Sequence, residues 1–158
     1  MIIDQEVIKI VSRLSRSRGS NMTATITQAL SEAIGAEHVF AARLSDDGLS
    51  ATTEAYARNG VLAENFTYAL TDTPCAIVAE NNVCCYNGDV QQRFPADQLL
   101  VDMDIKTYVG APLFDSQTSA FGIIVALYER HVEDTDKVVS LFTLFSGLLA
   151  GNIERREK

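Results

Sequence analysis

The chain of 158 residues lacks an excess of basic residues and any long hydrophobic run. Lysine and arginine number 13 against 21 aspartates and glutamates, for a formal net charge of −8. Because nonspecific nucleic-acid affinity comes from basic patches, this balance argues against a nucleic acid as partner. The basic cluster of Arg13, Arg16 and Arg18 is interleaved with serines and is interpreted as a solvated helix end. No apolar run approaches the roughly 20 residues that span a bilayer, so no direct membrane contact is expected.

A secretion signal and a disulfide framework are also missing. The first ten residues, MIIDQEVIKI, carry acids where a signal peptide has a basic region and an uninterrupted apolar stretch. Three cysteines, an odd number without framework spacing, fit a reducing compartment. A cytoplasmic location is therefore predicted.

Residue patterns for metal or phosphate chemistry are absent as well. The two histidines, His38 and His131, do not combine with the cysteines at the spacing of a zinc site. Cys84 and Cys85 are adjacent on a predicted strand, so they point to opposite faces. The stretch GDVQQRFPAD has one glycine and no lysine of a phosphate-binding loop. No metal is expected, and no cofactor can be named.

Helices are predicted at both ends of the chain. The first is indicated by an apolar seam with steps of four and three residues, at Ile3, Val7, Ile10 and Leu14. A second helix, roughly 22–34, stops at Gly35. A long helix occupies 133–158, with Asp134 as its N-cap.

An antiparallel sheet is predicted between these helices. Alternating apolar residues and turn signals indicate strands at 37–44, 49–58, 66–70, 83–86, 107–114 and 121–128. The side chains on both faces of the last strand are apolar. This is typical of a strand in the middle of a sheet that is covered on both faces. Gly110 and Pro112 on the preceding strand suggest a close backbone approach and an interruption of the hydrogen-bond ladder between strands. We interpret both residues as features of the sheet geometry and not of a binding site.

The predicted fold class is α+β, a central antiparallel sheet with the terminal helices on one face. Short helices and loops between Asp72 and Met103, including a helix at 96–103, cover the other face and leave room for a small-molecule pocket. Without an internal linker or repeat, residues 1–158 form one domain. Its parts are N-terminal helices at 1–34, the sheet with inserted helices at 36–130 and the C-terminal helix at 133–158.

The stretch LTDTPCAIV, residues 70–78, raises the question of a reactive thiol. One of three residues, Thr71, Asp72 or Thr73, can cap a helix that starts at Pro74, and the helix dipole could favour a thiolate at Cys75. A nucleophile needs a base, and neither histidine lies in a recognisable catalytic context. Cys75 is therefore predicted to be structural or to line a pocket, and no catalytic residue is expected.

Four blocks carry a family resemblance: FTYALTDTPCAIV, RFPADQLL, TYVGAPLFDS and FGIIVALYER. Their order and spacing resemble a bacterial GAF domain of the signal-transduction type. In that family the pattern is an F-x-Y-x-L strand, a TPC turn, FP-x-D before a short helix, and Y-x-G-x-PL on a central strand. The chain departs from the family at Thr118, where the hairpin usually has glycine. It also has no cysteine–histidine motif for bilin attachment.

The resemblance implies a GAF/PAS-like sensory or regulatory input domain. Such domains bind small molecules or dimerise, and they control histidine kinases, including those of two-component systems, or diguanylate cyclases. The C-terminal helix then acts as a signalling helix that leads to an output domain. A second function class is a stand-alone enzyme on the same fold, such as a free-methionine-sulfoxide reductase, although the cysteine motifs of that enzyme do not match the four blocks.

The expected ligand pocket lies over the central strand that bears Tyr108. The tyrosine hydroxyls are candidate polar contacts. Asp97 is interpreted first as the cap of the helix after FP and second as a ligand contact. The candidate ligand-binding residues are Tyr56, Phe66, Tyr68, Cys75, Val78, Phe94, Asp97, Leu100 and Tyr108.

The terminal helices are expected to form a homodimer. The C-terminal helix is apolar around most of its circumference, whereas one sheet face needs only a stripe of roughly 100°. Pairing with a symmetry mate is the usual isologous route to a homodimer, and packing of the two terminal helices within a monomer is the alternative. The candidate dimer residues are Ile3, Val7, Ile10, Leu14, Leu141, Leu144 and Leu148.

Overall fold

The computed structural model describes residues 5–16, 22–80 and 83–156. Within these ranges the helices are α1 (Gln5–Arg16), α2 (Met22–Ile34), α3 (Pro74–Val78), α4 (Val90–Arg93), α5 (Gln98–Asp102) and α6 (Thr135–Arg156). The strands are β1 (His38–Leu44), β2 (Ser50–Arg58), β3 (Val61–Leu62), β4 (Thr67–Ala69), β5 (Cys84–Tyr86), β6 (Thr107–Phe114) and β7 (Ala120–Tyr128). None of the described helices is both long enough and apolar enough to cross a membrane.

All strand pairs are antiparallel, and the strands follow the order β3-β2-β1-β7-β6-β5, with β4 paired to β2. Strand β7 therefore lies between β1 and β6, which confirms the prediction of a mid-sheet strand. Its side chains alternate between two cores. Ile124, Ala126 and Tyr128 pack against the helices α2 and α6, whereas Ile123, Val125 and Leu127 pack on the opposite face. The predicted α+β class is confirmed.

The core on the helical face is large and apolar. Phe142 and Phe145 of α6 are buried against β6 and β7, and Ile26 and Leu30 of α2 are buried beside them. Full burial of each such side chain contributes about 1.5–3 kcal/mol of transfer free energy. These contacts hold both helices on one face of the sheet.

The helix ends follow the sequence signals. Gly35 has a φ of +64° and donates its N–H to the Ser31 carbonyl, which ends α2. The Asp134 carboxylate accepts the Lys137 N–H at 3.1 Å, which confirms the predicted cap of α6.

Some short elements differ from the prediction. The strand expected at 66–70 is reduced to Thr67–Ala69, and the helix expected at 96–103 is reduced to Gln98–Asp102. Strand β3 and helix α4 were not predicted, because two to four residues are too few to show a period.

The predicted dimer seam on α1 faces this chain's own α2, not a free surface. Ile10 is 1% exposed and Val7 packs against the same core, where α1 contacts α2. Leu141 of α6 is 4% exposed and belongs to that core as well. The assignment of Ile10 and Leu141 to a free dimer surface was therefore wrong, since the helical layer of one chain already buries them.

Other apolar side chains of the terminal helices remain exposed. Leu144 and Leu148 of α6 are 56% and 46% exposed. This agrees with the prediction that α6 carries more apolar side chains than one face of the sheet can bury. Ile8 and Val11 of α1, which the prediction missed, are about half exposed. Ile3 and the side chain of Leu14 lie outside the described residues.

Candidate functional site

The predicted ligand residues converge on the sheet face opposite α2 and α6. Eight of them belong to one packed cluster beneath α3, α4 and α5, together with Phe40 and Ile123 of the sheet. Asp97 opens α5 beside this cluster. The eight are Tyr56, Phe66, Tyr68, Cys75, Val78, Phe94, Leu100 and Tyr108.

The Cys75 thiol is the polar centre of this cluster. It accepts the Tyr108 hydroxyl at 3.0 Å and the Tyr68 hydroxyl at 3.2 Å. Pro74 begins α3, and Thr73 stands at the N-cap, but the Thr73 hydroxyl donates to the Leu70 carbonyl instead of capping the helix.

Burial raises the pKa of the Cys75 thiol to about 12, although the two phenol hydrogen bonds act in the opposite direction. The side chain is 4% exposed. Desolvation thus outweighs any stabilisation of a thiolate by the short helix α3. The group is a neutral thiol at neutral pH, which supports the structural or pocket-lining interpretation.

Tyr108 reaches Cys75 because Gly110 leaves room for its ring. A Cβ on Gly110 would lie 2.7 Å from the Tyr108 hydroxyl oxygen and 2.9 Å from Val78 Cγ2. The groups that approach Gly110 are therefore side chains and not the close backbone that was predicted. The predicted interruption of the ladder is also absent, because the pairing of β6 with β7 continues in register through Gly110 and Pro112.

Aromatic rings form the wall on the β1–β2 side. Phe40 meets Tyr56, Phe66 and Tyr68 edge to face, with ring centroids 5.5–6.5 Å apart. The Tyr56 hydroxyl lies 2.7 Å from His38 Nδ1, a polar pair that the sequence reasoning missed. Burial, assisted by the Arg58 guanidinium, lowers the pKa of His38. His38 and Phe40 are two residues apart on one strand, so their side chains lie on the same face. This spacing could have placed His38 next to the aromatic cluster.

Asp97 is buried at the edge of the cluster. Its carboxylate accepts the Leu99 N–H at 3.1 Å, which confirms the predicted cap of α5. Burial raises the pKa of Asp97. After burial itself, the Asp97 charge is among the causes that raise the pKa of both Tyr68 and Cys75.

Three cavities of about 430–440 Å³ lie at other places. One is a cleft between α1 and α2 with Ile10, Ala29 and Ala33 among its lining residues. Another lies between the β1–β2 and β6–β7 turns, and the third lies near Gly35 and Arg130. The ligand pocket beneath the sheet stays a prediction.

The described part of the chain contains no group of three or more His, Cys, Asp or Glu side chains that could hold a metal ion. Cys84 is buried and Cys85 is exposed, which confirms that these neighbours point to opposite faces. All three cysteines are free thiols.

Solved structures of GAF domains share this architecture. The GAF domain of an Acinetobacter phosphoenolpyruvate-protein phosphotransferase is 11% identical, with a TM-score of 0.75 over 99% of this chain and 97% of that one. The phycoerythrobilin-bound GAF domain of a cyanobacterial phytochrome is 18% identical, with a TM-score of 0.69 over 97% and 96%. The A. aeolicus nlh2 GAF domain in an inactive state is 12% identical, with a TM-score of 0.70 over 96% and 95%. At such identities these likenesses show the fold.

Sequence comparison gives the family. No curated protein matches this chain. The family model of the GAF domain matches residues 20–153. This match covers most of the chain and includes α2, the whole sheet, the three short helices and most of α6. The chain therefore belongs to the GAF domain family.

Proposed function

We propose that this GAF domain is a non-catalytic sensory input domain. It binds a small molecule in the cluster around Cys75, on the sheet face opposite α2 and α6. It also dimerises through the exposed apolar side chains of its terminal helices. Helix α6 then transmits a change in helix packing to an output domain, such as a histidine kinase or a diguanylate cyclase, in the bacterial cytoplasm.

The observation that carries the proposal is the convergence of Tyr68, Cys75 and Tyr108 within an otherwise apolar cluster. Binding sites for small molecules combine apolar walls with a few placed polar groups. The short helices α3, α4 and α5 form the roof over these groups. The similar cyanobacterial domain is bound to phycoerythrobilin, so the fold can hold a small molecule.

The enzymatic alternative finds less support. A reductase of free methionine sulfoxide needs a cysteine that attacks as a thiolate. Cys75 is buried, and burial raises the pKa of its thiol to about 12, so the thiol stays protonated at neutral pH. Cys85 is exposed, but it points away from the cluster. We expect no turnover of methionine sulfoxide with a thiol reductant.

Native mass spectrometry of protein purified from its own host tests the ligand-binding role. We expect a small molecule bound to the 17.3 kDa chain, and its loss on mild collisional activation. Tyr108→Phe should reduce the bound fraction, because it removes one polar contact. Tyr128→Phe is the matched control, since the Tyr128 hydroxyl donates to the Ile34 carbonyl on the helical face. Bare protein in every preparation would count against a resident ligand.

A further inference from the structure

A buried phenol, Tyr108, and a partly buried one, Tyr68, share one weak hydrogen-bond acceptor. The hydroxyls of Tyr68 and Tyr108 both donate to the Cys75 sulfur, at 3.2 and 3.0 Å. A thiol sulfur accepts hydrogen bonds poorly compared with a carbonyl oxygen. Because the desolvation of a buried hydroxyl is offset only by a good partner, this arrangement leaves part of the cost uncompensated.

The backbone of β6 is shaped for this arrangement. Gly110 has no side chain, and the Tyr108 hydroxyl occupies the space that a Cβ would need. A phenylalanine at 108 would bury the same ring without an under-satisfied hydroxyl. The Tyr108 hydroxyl is therefore not needed for packing of the ring, and its position next to Cys75 depends on the glycine at 110.

The segment that covers the site has little backbone pairing with the sheet, and side-chain burial of Leu70, Cys75 and Val78 holds it in place. Tyr68 lies on β4, which pairs with β2 over three residue pairs. Cys75 lies on α3, which has five residues and follows a turn in which Asp72 has a φ of +63°. An outward movement of β4 and α3 would break the three β2–β4 residue pairs and separate Cys75 from Tyr108. Such a movement would give a ligand access to both hydroxyls.

The charge near the site disfavours anions. Asp97, buried at the start of α5, is the carboxylate that acts on both Tyr68 and Cys75. A second negative charge between the two phenols would be repelled by Asp97 and would lose its hydration on entry.

On the basis of the ligand-binding role proposed above, we infer that the site takes an uncharged molecule with a carbonyl oxygen on an aromatic or apolar body. The oxygen replaces the Cys75 sulfur as acceptor for the Tyr68 and Tyr108 hydroxyls. Its two lone pairs match the two donors. The body of the molecule packs among the rings of Phe40, Phe66 and Phe94, which line the cluster.

Three probes with the same ring but different charges test which charge the site accepts. They are neutral benzamide, anionic benzoate and cationic benzylamine. Their binding is measured at millimolar concentration from the shifts of the tyrosine ring signals in NMR spectra. We expect benzamide to shift the Tyr68 and Tyr108 signals and to bind about tenfold more tightly than either charged probe. Benzoate is repelled by Asp97, and the ammonium of benzylamine has no acceptor for the two hydroxyls.

Variants identify the groups that bind. Tyr108→Phe and Tyr68→Phe should each weaken benzamide binding about five- to tenfold, whereas Tyr128→Phe should leave it unchanged. Cys75→Ala removes the competing acceptor and opens space, so benzamide should bind several-fold more tightly. Thermal unfolding of each variant confirms that it is folded.

Other results overturn the inference. These are benzoate or benzylamine binding as tightly as benzamide, unchanged affinity in both phenylalanine variants, or no binding by any of the three probes. This failure is distinct from that of the proposed function. A co-purified ligand with a carboxylate or phosphate would overturn the ligand class and still support the sensory role, whereas bare protein would speak against resident ligand binding itself.

Discussion

The hydroxyl of Tyr108 lies over Gly110, two residues further along β6, and occupies space that the Cβ of any other residue would need. The distance from that Cβ position to the hydroxyl oxygen is 2.7 Å, well inside van der Waals contact. A strand brings residues i and i+2 to the same face, so the two positions compete for one space. The ring of Tyr108 and the glycine at 110 therefore depend on each other.

Gly110→Ala should lower the free energy of unfolding by about 1–3 kcal/mol, as overpacking of a core does. The Cβ displaces the Tyr108 ring and breaks its contact with Cys75. Gly147→Ala is the control, because its Cβ meets open space on α6 and alanine favours a helix by about 1 kcal/mol. Chemical denaturation measures both variants. Equal stability of Gly110→Ala and wild type would contradict this packing.

Differential alkylation checks the burial of the thiols. Cys85 is exposed, whereas Cys75 and Cys84 are buried, so iodoacetamide at neutral pH should label native protein once, at Cys85. In denaturant all three cysteines should react. Cys85→Ser should then show no rapid labelling in the native state, as measured by mass spectrometry. Fast modification of Cys75 would instead mark an accessible, activated thiolate.

Long elements of the fold could be predicted from the sequence, because their periods extend over many residues. The ends of β6 at Thr107 and Phe114 agree with the apolar run, and Gly35 marks the end of α2. The neighbours of each residue could not be predicted in the same way. Ile10 has the spacing of an intermolecular seam, yet α1 lies on α2 and buries it. Periodicity shows that a face is apolar, but it does not show which surface covers that face.

The candidate site illustrates the same limit. The residues of the cluster were found because strand parity and the short helix after Pro74 direct them to one face. The double contact of Tyr68 and Tyr108 with Cys75 depends on the missing Cβ at Gly110, which is a three-dimensional relationship between separate elements. Sequence spacing carries no record of such a distance.

Thr118 is strained in the β6–β7 hairpin. Its φ is +62°, a left-handed conformation that disfavours a β-branched side chain. Thr118→Gly should raise the free energy of unfolding by about 1 kcal/mol, since glycine adopts this conformation without steric cost. The reverse change in the β1–β2 hairpin, Gly48→Ala at a φ of +74°, should lower it by a similar amount. Thermal denaturation compares the two, and a less stable Thr118→Gly would refute the assignment of strain.

Asp97 should make stability depend on pH. Burial raises its pKa in the folded state above 3.8, so the folded protein binds a proton more tightly than the unfolded chain does. The destabilisation by the buried charge is full above the folded pKa and disappears as the pH falls through that value toward 3.8.

Asp97→Asn keeps a good N-cap and removes the charge, so it should be more stable than wild type at neutral pH. Its advantage should shrink on acidification. Asp97→Ala is the control, because it removes the charge and also the cap, at a cost of about 1 kcal/mol. Urea denaturation at several pH values measures the differences. An advantage of the asparagine variant that does not change with pH would contradict the raised pKa.

The homodimer should depend on the apolar residues that the monomer leaves exposed. Leu144 and Leu148 are one helical turn apart on α6 and about half exposed, whereas Leu141 lies in the core. A glutamate in place of Leu144 would bury a charge in any interface formed there, at a cost of several kcal/mol. We therefore expect wild type to sediment as a dimer at micromolar concentration and Leu144→Glu as a 17.3 kDa monomer.

Val101→Glu is the matched control for this test. Val101 is as exposed as Leu148 and also lies on a helix, but its helix α5 covers the opposite face of the sheet. The same charge there should leave the dimer intact. Ile10→Glu would be a poor probe, because Ile10 is buried within one chain and a charge there would detach α1 from α2. Sedimentation equilibrium distinguishes the outcomes. A 17.3 kDa species for wild type, unchanged in Leu144→Glu, would mean that this face of α6 does not pair with a second copy.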